Sequence, residues 1–481
     1  MLGAIKRHRK LFVASVTILF LSFVFNVFGM QSMEWFGFFQ KDSNALVVHK
    51  LACFDEQGGD RFAGMLVMAE KPDKFSVDDK SPVCQKEYSR AYVSQFGLQG
   101  KLSEIGALVV HDKIGVPLRH YLTMLKFGWA LLTALVLALF VVWVADKFAR
   151  FTAITVLLLL AMSVWVVGFA RNMYWATPLM FLPMIYALYY YQKPRPHKQY
   201  IIFLAVLLAL FFVRFLNGYE FVPEIILAPV AVVGYYAYLK TPRIRALLRE
   251  AIPICLVGAV AFIGALSVNF AQVYSYTGDV GRAKDLIAER ILLRTGEGGS
   301  SGKLVYNGLG NTLPAIYSGL SNYIDLETAA KQPRFLLTNI ISTINYAFLP
   351  VVNIPVQLKE PLYTIISSFV VVALAAFLAM RNLCRTVLDA AEATKYRALR
   401  RAMWLGLFSA LAWLVLARGH VFVHAHLNGI IYYLPFLLFA YIALGEWLRV
   451  KYDAIRPGIM AVLRPPQGGR TTRSAKRPRR G

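Results

Sequence analysis

Charged residues are scarce in this sequence: they make up 16% of its 481 residues, whereas 57% are hydrophobic. The apolar residues recur in uninterrupted runs of roughly 17–25 residues, the length that an α-helix needs to cross a bilayer. Backbone groups inside a bilayer must find partners within their own segment, and the runs are too long and too uniform to be barrel strands. The sequence therefore predicts an all-α polytopic membrane protein.

Acidic residues are also few, 27 against 52 Lys and Arg, which gives a formal net charge of +25. Such an excess could indicate a nucleic-acid partner, so its distribution decides the interpretation. We predict about ten transmembrane helices, at residues 11–30, 121–145, 151–170, 175–192, 200–217, 221–239, 251–274, 361–380, 402–417 and 428–445. With residues 1–10 inside, nearly all of the excess positive charge lies on inward segments, and the two large outward loops are balanced. This positive-inside pattern sets the orientation and predicts no nucleic-acid partner.

The predicted organisation follows from this orientation. In chain order we expect a cytoplasmic N-terminus (1–10), transmembrane helix 1 (11–30), a first periplasmic loop with interfacial helices (31–120), transmembrane helices 2–7 (121–274), a second periplasmic loop (275–360), transmembrane helices 8–10 (361–445) and a basic disordered cytoplasmic tail (446–481). Helix 1 is interpreted as a retained signal anchor, because no small-residue cleavage pattern precedes Gln31. The tail lacks interleaved aromatic residues, so its charge favours loose attraction to anionic lipid headgroups over nucleic-acid binding.

Cysteine is rare as well, with four residues in the whole chain. Cys53 and Cys84 both fall in the first outward loop, whereas Cys255 lies in a predicted span and Cys384 on the inward side. Two cysteines alone in an oxidising compartment tend to pair. We expect a Cys53–Cys84 disulfide, with two free thiols as the alternative.

Ionisable residues are nearly absent from the midpoints of the predicted spans. Those that come nearest lie at outward ends: Lys126, Arg171, Arg214, Glu224 and Arg418. The lack of intramembrane charge argues against a pump or a channel, and no inverted repeat or broken helix pair suggests a secondary transporter. The segment GEGGSSGK lacks the spacing of a phosphate-binding loop. We therefore expect the chemistry at the outer boundary between membrane and water.

An acid stands at that boundary soon after helix 1. The stretch WFGFFQKDSNALVVHK, residues 35–50, begins with aromatic residues suited to the membrane interface. Asp42 and Ser43 can cap a short helix, on which Asp42 and His49, seven residues apart, nearly align. One apolar arc of the same helix holds Leu46, Val47, Leu51 and Phe54. We predict an interfacial helix whose polar face, centred on Asp42, meets the aqueous side.

A second interfacial helix is predicted where Tyr88, Tyr92 and Phe96 recur every four residues. The alternative for both stretches is ordinary packing within a small extracytoplasmic domain.

The outward turns carry polar residues that helix termination does not require. ARNMYWATP at 170–178 and RFLNGYEFVPE at 214–224 each contain an Arg, an Asn, a Tyr and a Pro, and RGHVFVHAHLNG at 418–429 contains three histidines. The candidate substrate- or phosphate-binding residues are Arg171, Asn172, Tyr174, Arg214, Tyr219, Glu220, Arg418, His420, His424, His426 and, on the first loop, His49. A zinc site from the three histidines of the last turn is a further interpretation, against a structural role or the binding of a headgroup.

One acid with several guanidinium groups suits transfer from a lipid phosphate to an acceptor hydroxyl. Arg holds a phosphate with a planar fork of donors, and a carboxylate can remove the acceptor's proton as the sugar carbon is attacked. A single acid suffices for displacement with inversion. A retaining mechanism would use a second carboxylate, for which Asp55, Asp60, Glu104 and Glu220 stay open.

The layout resembles the GT-C superfamily of polytopic glycosyltransferases, which includes protein O-mannosyltransferases and the aminoarabinose transferase of lipid A. The resemblance rests on the early Asp42 within QKDSNAL, the long first outward loop and the turn ARNMYWATPLMFLP, and it covers residues 11–274. It implies that Asp42 is the catalytic acid, although Ser43 stands where the family often has a second one.

The resemblance also implies partners and a location. The donor would be a polyprenyl-phosphate-linked sugar, and the acceptor a glycan, lipid or protein. Some members of the superfamily use a divalent cation such as Mg or Mn. The expected location is the bacterial inner membrane, with the active site on the periplasmic face and membrane lipid around it.

Two other classes stay open. An O-antigen polymerase or ligase would act on similar lipid-linked glycans, but it would place its key Arg and His residues in a late outward loop. A translocase without enzymatic activity would explain a lipid groove without needing Asp42.

The disulfide is directly testable. We expect mass mapping of the exported protein without reduction to find a peptide that joins Cys53 to Cys84, because an oxidising compartment favours pairing of the two outward thiols. A free thiol at either position would contradict the prediction, and Cys384 on the inward side is the internal control.

Overall fold

The computed structural model describes residues 1–29, 36–37, 41–55, 62–69, 89–193, 196–295, 350–356, 363–417 and 425–463. The helices are α1 Leu2–Arg7, α2 Arg9–Phe25, α3 Lys41–Asp55, α4 Leu98–Ala107, α5 Leu118–Lys147, α6 Arg150–Ala161, α7 Val164–Ala170, α8 Thr177–Tyr190, α9 His197–Asn217, α10 Val222–Lys240, α11 Ile244–Thr277, α12 Val280–Thr295, α13 Phe369–Thr386, α14 Ala390–Leu416 and α15 Phe436–Leu463. A π-helical turn, Leu108–Lys113, follows α4, and a 3-10 turn, Ala425–Tyr433, precedes α15. The strands are β1 Leu66–Ala69, β2 Ser89–Tyr92, β3 Pro350–Val356 and β4 Tyr363–Ser368.

Six helices in the described part of the chain are long and apolar enough to cross a membrane: α5, α9, α10, α11, α13 and α14. They fit a multi-pass membrane protein with a predominantly helical fold. The total of about ten spans and the layout of the loops remain predictions.

Three predicted elements differ from the structure. Residues 151–170 form two helices, α6 and α7, because Ser163 adopts an extended backbone between them. Predicted transmembrane helix 8 corresponds to α13, which starts at Phe369 rather than at 361. The residues just before it form β4, which pairs antiparallel with β3.

The third difference is the second interfacial helix, which is wrong at its start. Ser89–Tyr92 is strand β2, and Leu66 pairs with Tyr92 across an antiparallel hairpin. A spacing of four residues fits one face of a strand as well as one face of a helix, so the recurrence of aromatic residues could not separate the two. The fold thus adds two small two-stranded sheets to the predicted all-α architecture.

The membrane body packs around α15, whose residues Phe436–Ala443 are fully buried. This helix contacts α6, α13 and α14, while α10 packs along α14, α9 along α11, and α2 along α5. A hydrogen bond joins α2 to the end of α6: Ser22 Oγ donates to the carbonyl of Ala161 at 2.6 Å. The helical body is therefore one continuous core, from which the outward turns project.

A second, smaller core lies at the outward end. It is formed by α3, the β1–β2 hairpin, the last turns of α11 and the first half of α12. Its buried apolar residues are Cys53, Phe62, Met65, Val67, Val93, Val273, Ala283 and Ile287. Gln272 Nε2 also donates to the carbonyl of Ala63 at 2.9 Å. Leu46, Val47 and Leu51 of α3 are buried by protein. These three residues of the predicted apolar arc pack against the main core, and the side chain of Phe54, the fourth, is not described.

Candidate functional site

Asp42 lies in the first turn of α3 and its side chain is exposed. The position of this turn is set two residues later, where Asn44 Oδ1 accepts a hydrogen bond from the backbone N–H of Met173 at 2.9 Å. Met173 belongs to the turn between α7 and α8 that carries Arg171. The structure therefore brings the segment after helix 1 and the ARNMYWATP turn together, although they are far apart in sequence.

Arg171 makes a second contact between the same two segments. Its guanidinium lies 3.6 Å from the centre of the Phe36 ring and donates a hydrogen bond to the Phe36 carbonyl. A cation over an aromatic face gains more when water is excluded. Burial lowers the pKa of the Arg171 guanidinium, because it disfavours the charged form.

Asn172 shapes the turn from within. Its Oδ1 accepts hydrogen bonds from the backbone N–H groups of Tyr174, at 2.9 Å, and Trp175, at 3.3 Å. An Asn side chain commonly organises a turn in this way. Asn172 is buried, so the contacts that the structure describes for it support the turn.

Tyr174 belongs to a buried polar network. Its hydroxyl lies 2.9 Å from Oε1 of Gln95 and 3.1 Å from Oε1 of Glu220. Gln99 Nε2 donates to the backbone carbonyls of Tyr174 and Asn217, both at 3.0 Å. The first residues of α4 and the segment before it are thereby joined to two outward turns.

Gly218 leaves room for two side chains of this network. A Cβ on Gly218 would lie 2.4 Å from Glu220 Oε2 and 2.7 Å from Gln95 Oε1. A larger residue would push both polar side chains away.

Arg214 is oriented differently from the prediction of an exposed phosphate ligand. Its side chain is 1% exposed, and its two terminal nitrogens donate to the carbonyls of Gly218, at 3.1 Å, and Glu220, at 3.2 Å. Helix α9 ends just beyond it, and the carbonyls at and after a helix end need donors. Tyr219 likewise donates to the carbonyl of Ala265 at 3.1 Å. The described contacts of these two residues close the second outward turn.

Lys126 is a neighbour of Arg171 that the sequence reasoning did not select. It lies on α5, half-buried, close enough to Arg171 for the two positive charges to repel each other. Within the described ranges neither residue forms an ion pair with an acid. The available signal was the position of a lone Lys at the outward end of an apolar run. Two half-buried cations within electrostatic range of each other favour binding of an anion.

His49 does not share the aqueous face of Asp42, and that part of the helical-wheel prediction is wrong. The side chain is 4% exposed and hydrogen-bonded to the backbone of Val67, because β1 packs over this face of α3. Burial lowers its pKa to about 4. The next residue, Lys50, is buried too, and its ammonium pairs with Glu104 of α4 at 2.9 Å.

Several predicted residues lie outside the described part. These are Arg418, His420, His424 and Cys84; His426 falls in the 3-10 turn, where its side chain is not described. Cys53 is disulfide-bonded, whereas Cys255 and Cys384 are free, so pairing of Cys53 with Cys84 stays a prediction. Among the described residues no three His, Cys, Asp or Glu side chains form a metal-ligand set. A divalent cation also stays a prediction.

Comparison with known proteins gives two weak structural similarities. No protein-family model matches the sequence, and no curated protein matches it. The oligosaccharyltransferase of Archaeoglobus fulgidus in its apo form is similar with a TM-score of 0.44 and 12% identity, over 95% of this chain and 52% of that one. The same protein in complex with Zn and sulfate gives a TM-score of 0.41 and 12% identity, over 94% and 51%. The chain spans about half the length of that protein, and a likeness at this level carries no functional assignment.

The burial of His49 predicts a pH-dependent stability. The folded state holds the imidazole neutral down to about pH 4, while the unfolded chain takes up a proton below about pH 6.5. Stability should therefore be lost as the pH falls from 6.5 towards 4. One pKa unit corresponds to about 1.36 kcal/mol, so the full loss is roughly 3 kcal/mol.

Thermal unfolding of the detergent-solubilised protein between pH 7 and pH 4.5 measures this loss. The variant His49→Gln should show a flatter pH dependence than the wild type, and His120→Gln, at an exposed histidine, should not. Parallel curves for the wild type and His49→Gln would contradict the burial of a neutral imidazole.

Proposed function

We propose that this chain is a membrane glycosyltransferase that moves a sugar from a polyprenyl-phosphate donor to a hydroxyl of an extracytoplasmic acceptor. Asp42 is the general base. The observation that carries the proposal is the docking of the first turn of α3, with its exposed carboxylate, against the turn that holds Arg171. A base and a cation are thus supplied at the same end of the helices.

The cation side of the site suits the donor's phosphate. Arg171 and Lys126 lie within electrostatic range of each other, and neither forms an ion pair in the part of the chain that the structure describes. Each raises the electrostatic cost of the other, and a phosphate anion between them would remove that cost. Fixed positive charge where the leaving group develops its negative charge is the larger part of catalysis in such a transfer.

The outward part of α5 offers an apolar surface for the donor's lipid tail. Met124, 55% exposed, and Phe127, 43% exposed, share one face of this helix, and Leu131 follows one turn further into the membrane. Lys126 lies at the same level of the helix on a different face. A polyprenyl chain along the apolar face would bring its phosphate to the membrane boundary, at the level of Lys126.

The transfer is written as a single displacement. Asp42 takes the proton of the acceptor hydroxyl as its oxygen forms a bond to the anomeric carbon. The bond from that carbon to the phosphate oxygen breaks, its electron pair stays on the departing polyprenyl phosphate, and Arg171 and Lys126 stabilise that charge. The configuration at the anomeric carbon is inverted.

Two of the acids that could act as a second carboxylate already have partners. Glu220 is buried beside Tyr174, and Glu104 is paired with Lys50. The side chains of Asp55 and Asp60 lie outside the described part. A covalent intermediate needs a free second carboxylate close to the first, whereas a single displacement needs only Asp42. We propose the single displacement, on the outward face of the bacterial inner membrane.

The variant Asp42→Asn tests the base. We expect cells that carry it to lose one sugar increment from an envelope glycan and to accumulate a polyprenyl-phosphate sugar, since an amide cannot accept the proton; the rate should fall at least about 100-fold. Mass spectrometry of envelope glycans and lipid-linked sugars makes the comparison.

The matched control is Asp285→Asn, an exposed acid on α12 at the same end of the protein. It should leave both profiles unchanged. An unchanged profile from well-expressed Asp42→Asn would contradict the assignment and favour a translocase, whereas loss of long polymers without loss of a single sugar increment would favour a polymerase or ligase.

The two cations have their own test. In membranes supplied with the lipid-linked sugar that accumulates in Asp42→Asn cells, Arg171→Gln and Lys126→Gln should each raise the KM for that donor about tenfold, because each removes one charge from the phosphate. Lys284→Gln, at an exposed lysine of α12, should leave the KM unchanged. Equal KM values in the wild type and all three variants would contradict the phosphate site.

Arg214→Gln should instead lower the unfolding temperature, since it leaves two turn carbonyls without donors.

A further inference from the structure

A small pocket lies at the end of the helices opposite Asp42. It has a volume of about 120 Å³ and is lined by Tyr191, Val233, Tyr236, Ala237, Lys240, Thr241, Ala246 and Glu250. Helix α10 runs for 19 residues from the second outward turn to Lys240, so at 1.5 Å per residue the pocket is roughly 28 Å from that turn. The pocket is thus separate from the proposed active site, and a ligand bound in it would be independent of the proposed function.

The walls of the pocket are held in place by hydrogen bonds. Tyr191 donates from its hydroxyl to Glu250 Oε2 at 2.7 Å. Trp143 Nε1 donates to the Tyr236 hydroxyl at 3.0 Å, and that hydroxyl lies 3.3 Å from the carbonyl of Leu188. These bonds join α5, α8, α10 and α11. Tyr191, Tyr236 and Glu250 are therefore held in place by helices, and Lys240 stands exposed at the end of α10.

Two residues of opposite charge, Lys240 and Glu250, line this pocket without forming an ion pair with each other. Lys240 ends α10 and Glu250 lies on the first turns of α11, yet across the described ranges no ion pair joins either of them to the other or to a third residue. A Lys and a Glu that share so small a pocket would gain by pairing directly if nothing came between them. The separation leaves room for a ligand that carries both signs of charge.

The location indicates the source of such a ligand. Helices α10 and α11 are both long and apolar enough to span the membrane, and the pocket lies where one ends and the next begins. Leu239 and Ile244, on either side of the connecting turn, are exposed apolar side chains. This is the depth at which phospholipid headgroups meet their acyl chains.

We propose that the pocket binds the phosphoethanolamine headgroup of a membrane phospholipid. Glu250 receives the ammonium group, Lys240 meets the phosphate, and the exposed apolar residues of the turn contact the start of the acyl chains. A primary ammonium can donate hydrogen bonds to a carboxylate, whereas a choline group cannot, and a glycerol headgroup brings no positive charge. The pocket should therefore distinguish phosphatidylethanolamine from both other headgroups.

Native mass spectrometry of the delipidated full chain tests the proposal. Phosphatidylethanolamine, phosphatidylcholine and phosphatidylglycerol with the same acyl chains are titrated separately, and one bound lipid per chain is quantified. We expect phosphatidylethanolamine to bind about tenfold tighter than the other two. Equal affinities of the wild type for all three lipids would overturn the assignment.

Three variants locate the binding. Glu250→Gln should abolish the preference for phosphatidylethanolamine over phosphatidylglycerol, and Lys240→Gln should weaken both lipids alike, because both carry the phosphate. Lys198→Gln, an exposed lysine at the same end of α9, should change nothing. Retention of the preference in Glu250→Gln, measured on protein with a wild-type unfolding temperature, would overturn the proposal.

A last titration, with free phosphoethanolamine, distinguishes a lipid ligand from a soluble one. Free phosphoethanolamine should bind far more weakly than the phospholipid, because it lacks the acyl contacts at the connecting turn. Binding as tight as that of the lipid would overturn the assignment to the membrane and identify a soluble zwitterion instead.

Discussion

The hydrogen bond from the backbone N–H of Met173 to Asn44 is the contact on which the rest of the outward face depends. It joins the helix that carries Asp42 to the turn that carries Arg171, and the stacking of Arg171 on Phe36 reinforces the junction. Apolar residues of both segments, among them Leu46 and Trp175, also belong to one hydrophobic core. A general base needs to be held in a fixed position, because a base misplaced by about 1 Å loses much of its effect.

A buried polar network supports that frame from behind. Gln95, Gln99, Tyr174 and Glu220 lie out of contact with water and are bonded to one another or to turn carbonyls. Unpaired polar groups at this depth would cost far more than paired ones gain, so the network specifies one arrangement of the two outward turns. Arg214 and Glu220 thus serve the structure of the turns, while Arg171 and Lys126 form no ion pair among the described residues.

The apolar runs predicted the helical body well, since hydrophobic length is a property of each segment alone. The wheel of α3 also identified Leu46, Val47 and Leu51 as one buried arc. Other features depend on distant neighbours and were not predictable. Strand β2 forms because β1 pairs with it, and His49 is buried because β1 covers it. Arg214 donates hydrogen bonds to carbonyls of its own turn. Lys126 becomes a candidate binding residue only because Arg171 is within electrostatic range of it.

The central claim is that Asp42 removes the acceptor's proton in a transfer from a lipid phosphate. The most direct measurement is the release of polyprenyl phosphate from a radiolabelled donor by the purified protein in liposomes. The wild type should release it only when an acceptor hydroxyl is present, with inversion at the anomeric carbon, and Asp42→Asn should bind the donor normally without releasing it. Release by Asp42→Asn at the wild-type rate, or a product with retained configuration, would contradict the account.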